Sequence, residues 1–489
     1  MLPPVLPPHE LRHTMSSFGH RPWRSKPAAP VEEYPNGSMK AIRIRSIGGS
    51  IEWTDVPRPM LPAAESISDK LASASLRDKD VGAGMVVVSV RMAGISYSDY
   101  LGMHGKYEKR PKTPMCPGAE ACGVVVAVIN SAKFKINDKV GVVMPWTCGT
   151  CAEELLLHGA VAASPRESDA RADREHPPRP PPADYQCVKL PDTCGMKDFS
   201  EFVSLGSDYV TAYFALGHRT RPILKTGWEG KALAVLGANG GVGVAAVEVG
   251  KVLGAFTLRC TTKTDGDVRK STAPDGVVDV SRRGWHDRVL EARPGGVDIV
   301  FDPVGGDYIF SVLRCMKVGG ALLTVGFASG KIPTVSLEHL LQRNIAIHGV
   351  WTRAPRRPSS IHPSQSVSPR SPLQYPKEME DSAAQVAKLW TEGRVTPDVT
   401  TVLPMDKFRN GIAMLVVRDY RGKVCLSMDP DYAAKTPSKT EPTIHQAAQS
   451  RVPDVDAPDA ASLMRYFPGE SEDATLEEAH TGAGIHGDY

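Results

Sequence analysis

At 489 residues and 52.7 kDa the chain exceeds one ordinary domain and suggests two or three. Hydrophobic residues at 41% and charged residues at 23% give a globular balance, but 41 prolines and 44 glycines exclude a chain that is ordered throughout. A net charge of +3 excludes an overall field that would draw in nucleic acid or an anionic membrane, and nine scattered cysteines fit a reducing compartment better than a disulfide framework.

In chain order, residues 1–38 carry eight prolines and no apolar stretch of signal-peptide type, so they read as a disordered extension. The expected location is cytoplasmic. A mitochondrial presequence is the alternative, drawn from Arg12, Arg21 and Arg24, although frequent proline opposes the amphipathic helix it needs. Ordered sequence starts at Met39 with the alternating Lys40-Ala41-Ile42-Arg43-Ile44, and further short strands read at Val86–Val90 and Gly123–Ile129. Residues 61–84, 159–184 and 353–375 are small, polar or proline-rich and read as inserted loops, which closure entropy tolerates at the surface. No apolar run approaches the length of a membrane helix. Residues 431–489, with eleven acidic and four basic side chains, read as a disordered acidic tail.

Between about Gly206 and Val350 strands alternate with helical segments, the pattern of a doubly wound parallel sheet in an α/β chain. The apolar strand Ala232–Leu236 runs into Gly237-Ala238-Asn239-Gly240-Gly241-Val242-Gly243 and then into a helix. That order aims backbone N–H groups and a helix dipole at the space above the turn, a cradle for a pyrophosphate. The altered glycine motif makes Ala238, Asn239, Gly240, Gly241, Val242 and Gly243 candidate dinucleotide-binding residues. The second strand of the unit ends Thr261-Thr262-Lys263 with no acid at the expected ribose position. Arg259 and Lys263 would suit a 2′-phosphate, so NADPH is the expected cofactor, with Asp265 leaving NADH open.

These features together resemble the medium-chain dehydrogenase/reductase superfamily and, within it, the zinc-free quinone oxidoreductase group that includes zeta-crystallin. The resemblance rests on Ala93-Gly94-Ile95-Ser96-Tyr97-Ser98-Asp99 with Gly105-Lys106-Tyr107, on Pro117-Gly118-Ala119-Glu120, on Thr211–Leu216, and on the glycine turn with Asp302–Gly306 and Val325-Gly326-Phe327. It spans residues 39–158, 184–351 and 376–430. It implies a GroES-like, β-rich substrate domain over 39–206 with a return at 346–430, and a Rossmann domain over 207–345. It also implies Ser96, Thr211, Gly326 and Phe327 on the nicotinamide side and a homodimer built through the edge strand near Ile345.

Zinc-dependent members use a Cys, a His and a second Cys. Here Ser96 and Ala119 stand at the first two positions and residues 203–213 hold no cysteine, so no catalytic metal is expected. Cys148-Gly149-Thr150-Cys151 has knuckle spacing but lacks a nearby second pair. Without a Lewis acid the substrate must itself delocalise charge, as quinones and α,β-unsaturated carbonyls do. Tyr107 is the first candidate proton donor and Tyr97 the second; the alternative for each is a core aromatic. Enoyl-thioester reduction and a non-catalytic NADPH-binding role remain as rival readings.

Overall fold

The computed structural model describes residues 37–58, 85–105, 113–143, 149–158, 187–262, 273–352 and 375–436, apart from 130, 132 and 419. The three expected insertions, except Tyr375 at the end of the third, and Cys148, Asp265 and most of both tails, lie outside these residues. Among the described residues no helix is long and apolar enough to cross a membrane.

The β-rich half is a mostly antiparallel sheet in the order β14 (Thr401–Pro404), β15 (Val424–Ser427), β3 (Met85–Ile95), β4 (Glu120–Ile129), β5 (Lys139–Val143), β7 (Cys187–Lys189). β6 (Glu154–His158) pairs with β3, and β1 (Ser38–Ile44) with β2 (Ile51–Pro57) forms a separate ribbon. Val86, Val88, Val90 and Ile95 of β3 supply one side of its core, with Phe408 and Ile412 of helix α8 (Phe408–Val417) covering it. β14 and β15 are C-terminal in sequence yet complete this N-terminal sheet, so the chain leaves the domain and returns to it.

The second half is a six-stranded parallel sheet in the order β10 (Gly276–Asp279), β9 (Phe256–Thr261), β8 (Ala232–Leu236), β11 (Val297–Asp302), β12 (Met316–Thr324), β13 (Ala346–Gly349). Every residue of β8 is buried, as a central parallel strand covered on both faces must be. Helix α3 (Gly241–Leu253) packs on one face, and α4 (Trp285–Ala292) and α5 (Tyr308–Cys315) on the other. β13 carries this sheet to Gly349, a few residues beyond the expected boundary at 345. A long helix joins the halves: α2 (Met196–Ser204) continues through π-helical turns at Leu205–Tyr209 and Phe214–Arg219. Residues 431–436, expected to belong to the tail, are ordered instead: helix α9 (Pro430–Lys435) is formed, capped by Asp429 and packed through Ala433.

Candidate active site

The glycine turn has the conformation its sequence demands. Gly237 adopts φ +58°, and a Cβ on Gly243 would lie 2.3 Å from the Gly237 carbonyl oxygen, so the helix packs against the turn only with glycine there. Gly240 is the N-cap of α3 in extended conformation, and no side chain caps the helix. The first-turn N–H groups therefore face the cleft, where an anion would satisfy them. Ala238 and Gly243 shape this turn from beneath without lining the cleft; Ala238 is buried.

Arg259 departs from its expected role. Strand alternation points its side chain into the α3 face, where Nε donates to Asn239 Oδ1 at 3.0 Å and Nη2 donates to the same oxygen. It is 3% exposed and absent from the cleft wall, so it braces the turn and is not placed to meet a 2′-phosphate. The Asn239 carbonyl accepts from Gly422 N at 2.8 Å, which ties the turn to the segment leading into β15.

A cleft of about 650 Å³ runs across the carboxyl ends of the parallel strands, between the two halves. Ser96, Tyr97, Thr211, Asn239, Gly240, Gly241, Val242, Gly326 and Phe327 all line it. Tyr107 and Lys263 lie outside the described residues. Toward β9 and β10 the wall is Thr261, Thr262, Val280, Val304 and Tyr308; toward β12 and the substrate domain it is Ile332, Trp351, Leu101, Leu415 and Arg418. Among the lining residues that escaped the sequence reading are Asp208, Tyr308, Arg418, Tyr420 and Lys423. The last three sit in the return segment near α8 and β15, and no local motif marks them; only the long-range pairing of β15 with β3 brings them to the cleft.

Charge is unevenly placed around this cleft. The Lys423 ammonium contacts Glu120 Oε2 and lies 3.4 Å from Asp208 Oδ2, with Lys423 and Glu120 each 3% exposed. Burial works against the Lys423 charge, and the two carboxylates outweigh it and hold its pKa above the ordinary value. Asp99 is buried and pushed up to about 6 by desolvation, opposed by the bonds its carboxylate accepts from Ser96 N and Gly118 N at 2.8 and 3.0 Å. Asp302, likewise raised to about 6 by burial, accepts from Val304 N and Gly305 N and so shapes the loop after β11. Burial raises the Tyr97 phenol, with the Arg418 cation acting in the opposite sense; the hydroxyl stays protonated at neutral pH. Arg418 itself donates Nη2 to the Ala328 carbonyl at 3.1 Å, joining the substrate domain to the loop that carries Gly326 and Phe327.

The donor set for a catalytic zinc does not fit. Ser96 Oγ is engaged with Ser98 Oγ and Asp99, Ala119 offers only a methyl group, and among the described residues no group of three His, Cys, Asp or Glu converges. Cys151 is buried, and burial raises its thiol well above the ordinary value.

A Rossmann sheet with an open helix N-terminus over a glycine turn, facing an apolar cleft against a GroES-like sheet, defines a two-domain nicotinamide-type oxidoreductase fold. Residues 82–163 match the alcohol dehydrogenase GroES-like domain and residues 241–363 the zinc-binding dehydrogenase domain, so over these two segments the chain is similar to the medium-chain dehydrogenases/reductases. It is 25% identical over 407 residues to a quinone oxidoreductase-like protein 2 homolog of Nematostella vectensis, covering 81% of this chain and 91% of that one. A probable oxidoreductase from Mycobacterium abscessus superposes with a TM-score of 0.58 at 25% identity, over 80% of this chain and 99% of the other. The quinone oxidoreductase from Thermus thermophilus, solved also as its complex with NADPH, superposes with a TM-score of 0.54 at 21% identity, over 80% and 100%.

Proposed function

We propose that the chain is an NADPH-dependent, zinc-free reductase of quinones or α,β-unsaturated carbonyls. The observation that carries this reading is the apolar cleft with an uncapped α3 N-terminus at one end and Tyr97 beside Arg418 at the other. Gly240, Gly241 and Val242 would hold the pyrophosphate through backbone N–H groups, and Thr211, Gly326 and Phe327 the nicotinamide end. A bound reduced nicotinamide supplies hydride. Tyr97 donates a proton to the substrate oxygen, and Arg418 offsets the negative charge that develops there, the task a metal performs in zinc-dependent dehydrogenases. Leu101, Ile332, Trp351 and Leu415 exclude water and accept a flat apolar substrate. NADPH is favoured over NADH because β9 ends in Thr261-Thr262, and no carboxylate lines the cleft there among the described residues.

The test is NADPH oxidation by the full chain with a quinone, an enone and an enoyl-CoA as separate acceptors. Turnover with either of the first two supports the reading, turnover with enoyl-CoA alone shifts it to thioester reduction, and tight NADPH binding with no turnover establishes a binding protein. Tyr97→Phe is expected to lower kcat by roughly 10²-fold, leaving NADPH affinity within about threefold. An unchanged kcat removes Tyr97 as donor.

We further propose a homodimer through the edge of the parallel sheet, in keeping with the expectation above. Among the described residues β13 has one strand neighbour, and helix α6 (Leu337–Arg343), which precedes it in sequence, buries none of its residues: Leu337 and Leu341 are each 78% exposed, and Ile347 of β13 and Val318 of β12 are exposed as well. Leu337→Asp with Leu341→Asp is expected to halve the mass in sedimentation or light scattering; wild-type chain that is already monomeric excludes this interface. The reducing cytosol suits the eight described cysteines, none of which forms a disulfide.

A further inference from the structure

Asp208 is the one acid on the cleft wall among the described residues, and it stands at the place that the proposed pyrophosphate site must keep electropositive. A Cβ built on Gly241, the first residue of α3, would lie 2.2 Å from Asp208 Oδ2, so the carboxylate rests against the helix N-terminus. Helix α3 has no acidic residue in its first turn and no side-chain cap, so Asp208 supplies the anion from a different helix. The cluster around it is crowded with charge. Lys423 lies 3.4 Å away and is shared with Glu120 from β4, which leaves two carboxylates to one ammonium. Ser204 Oγ donates to Asp208 Oδ2 at 3.5 Å, and Tyr209, Tyr420 and Cys425 face the same acid, all as neutral groups.

A dianionic pyrophosphate over Gly240–Val242 would add two negative charges next to a cluster that already carries one in excess. Coulomb repulsion at these distances in a desolvated site is large. Lys423 cannot serve both anions fully, because its pairing with Glu120 is internal to the substrate domain. We propose that Asp208 takes up a proton from solvent when the dinucleotide binds, so that the acid is a determinant of cofactor affinity and couples binding to pH. The proton adds to the carboxylate to give a neutral acid, which can then donate a hydrogen bond toward the phosphate oxygen. Burial supports this outcome, since it has already raised the Asp208 pKa to about 6, with Lys423 opposing and Glu120 assisting. The inference rests on the cleft holding a nicotinamide dinucleotide, as proposed above.

The experiment is calorimetric titration of the full chain at pH 7.5 in two buffers of different ionisation enthalpy, with NADH alongside NADPH because NADH has no 2′-phosphate to titrate in this range. The Kd for each is also followed from pH 6 to 8. Wild type is expected to take up a fraction of a proton per NADH and to lose about tenfold in affinity toward pH 8. Asp208→Asn is expected to show no uptake, a flat Kd, and tighter binding than wild type at pH 8 by about tenfold. Asp208→Ser serves the same comparison if the Asn variant does not fold. Zero uptake by wild type, or uptake that persists in both variants, overturns the proposal. Failure of wild type to bind either nucleotide instead removes the reading of the cleft on which it stands.

Discussion

Replacing Lys423 with methionine is expected to destabilise the chain by about 3–5 kcal/mol, the range for removing one partner of a buried ion pair. The side chain of methionine fills a similar volume, so little of the loss is a cavity. What remains is two carboxylates, Glu120 and Asp208, facing each other's charge without the ammonium that neutralises them. The deficit should depend on pH in a defined sense. Asp208 has its folded pKa raised from 3.8 to about 6, so its charge costs stability above that value and the cost is relieved as pH falls through it. Urea unfolding at pH 8 and pH 5.5 should therefore show a smaller gap between wild type and variant at the lower pH. A loss below about 1 kcal/mol at pH 8 would show that the three groups do not form a coupled cluster.

Gly243→Val is expected to cost at least about 100-fold in NADPH affinity. The branched side chain would meet the Gly237 carbonyl oxygen at 2.3 Å and Ala238 Cα at 2.8 Å, both backbone atoms of the turn itself. The turn must then move, and the α3 N–H groups with it. Fluorescence titration with NADPH measures the loss, and far-ultraviolet circular dichroism establishes that the sheet persists. Affinity within threefold of wild type would show that the turn does not hold the phosphates.

Most of the architecture was legible in the sequence because parallel strands announce themselves as apolar runs closed by glycine or proline, as Ala232–Leu236 and Val297–Asp302 do. The glycine turn was legible for the same reason: a positive φ at Gly237 and close packing at Gly243 each leave a residue-level mark. Arg259 was misread because its distance from the turn in sequence suited a phosphate ligand, whereas the face of β9 it occupies depends on strand register, which one strand's letters do not fix. Lys423, Tyr420 and Arg418 were invisible because they reach the cleft only through β15 pairing antiparallel with β3, more than 300 residues earlier. Asp208 was hidden differently. It lies in a π-helical turn within a continuous helix, and that local change in periodicity rotates its carboxylate toward Gly241.

The central claim is direct hydride delivery within this cleft, and isotope transfer tests it most directly. NADPH carrying deuterium at both C4 positions of the nicotinamide, incubated with the full chain and an enone, is expected to yield a reduced product with one deuterium at its β-carbon, seen by mass spectrometry. Reduced product without deuterium, or no product from any enone or quinone supplied, would contradict the account.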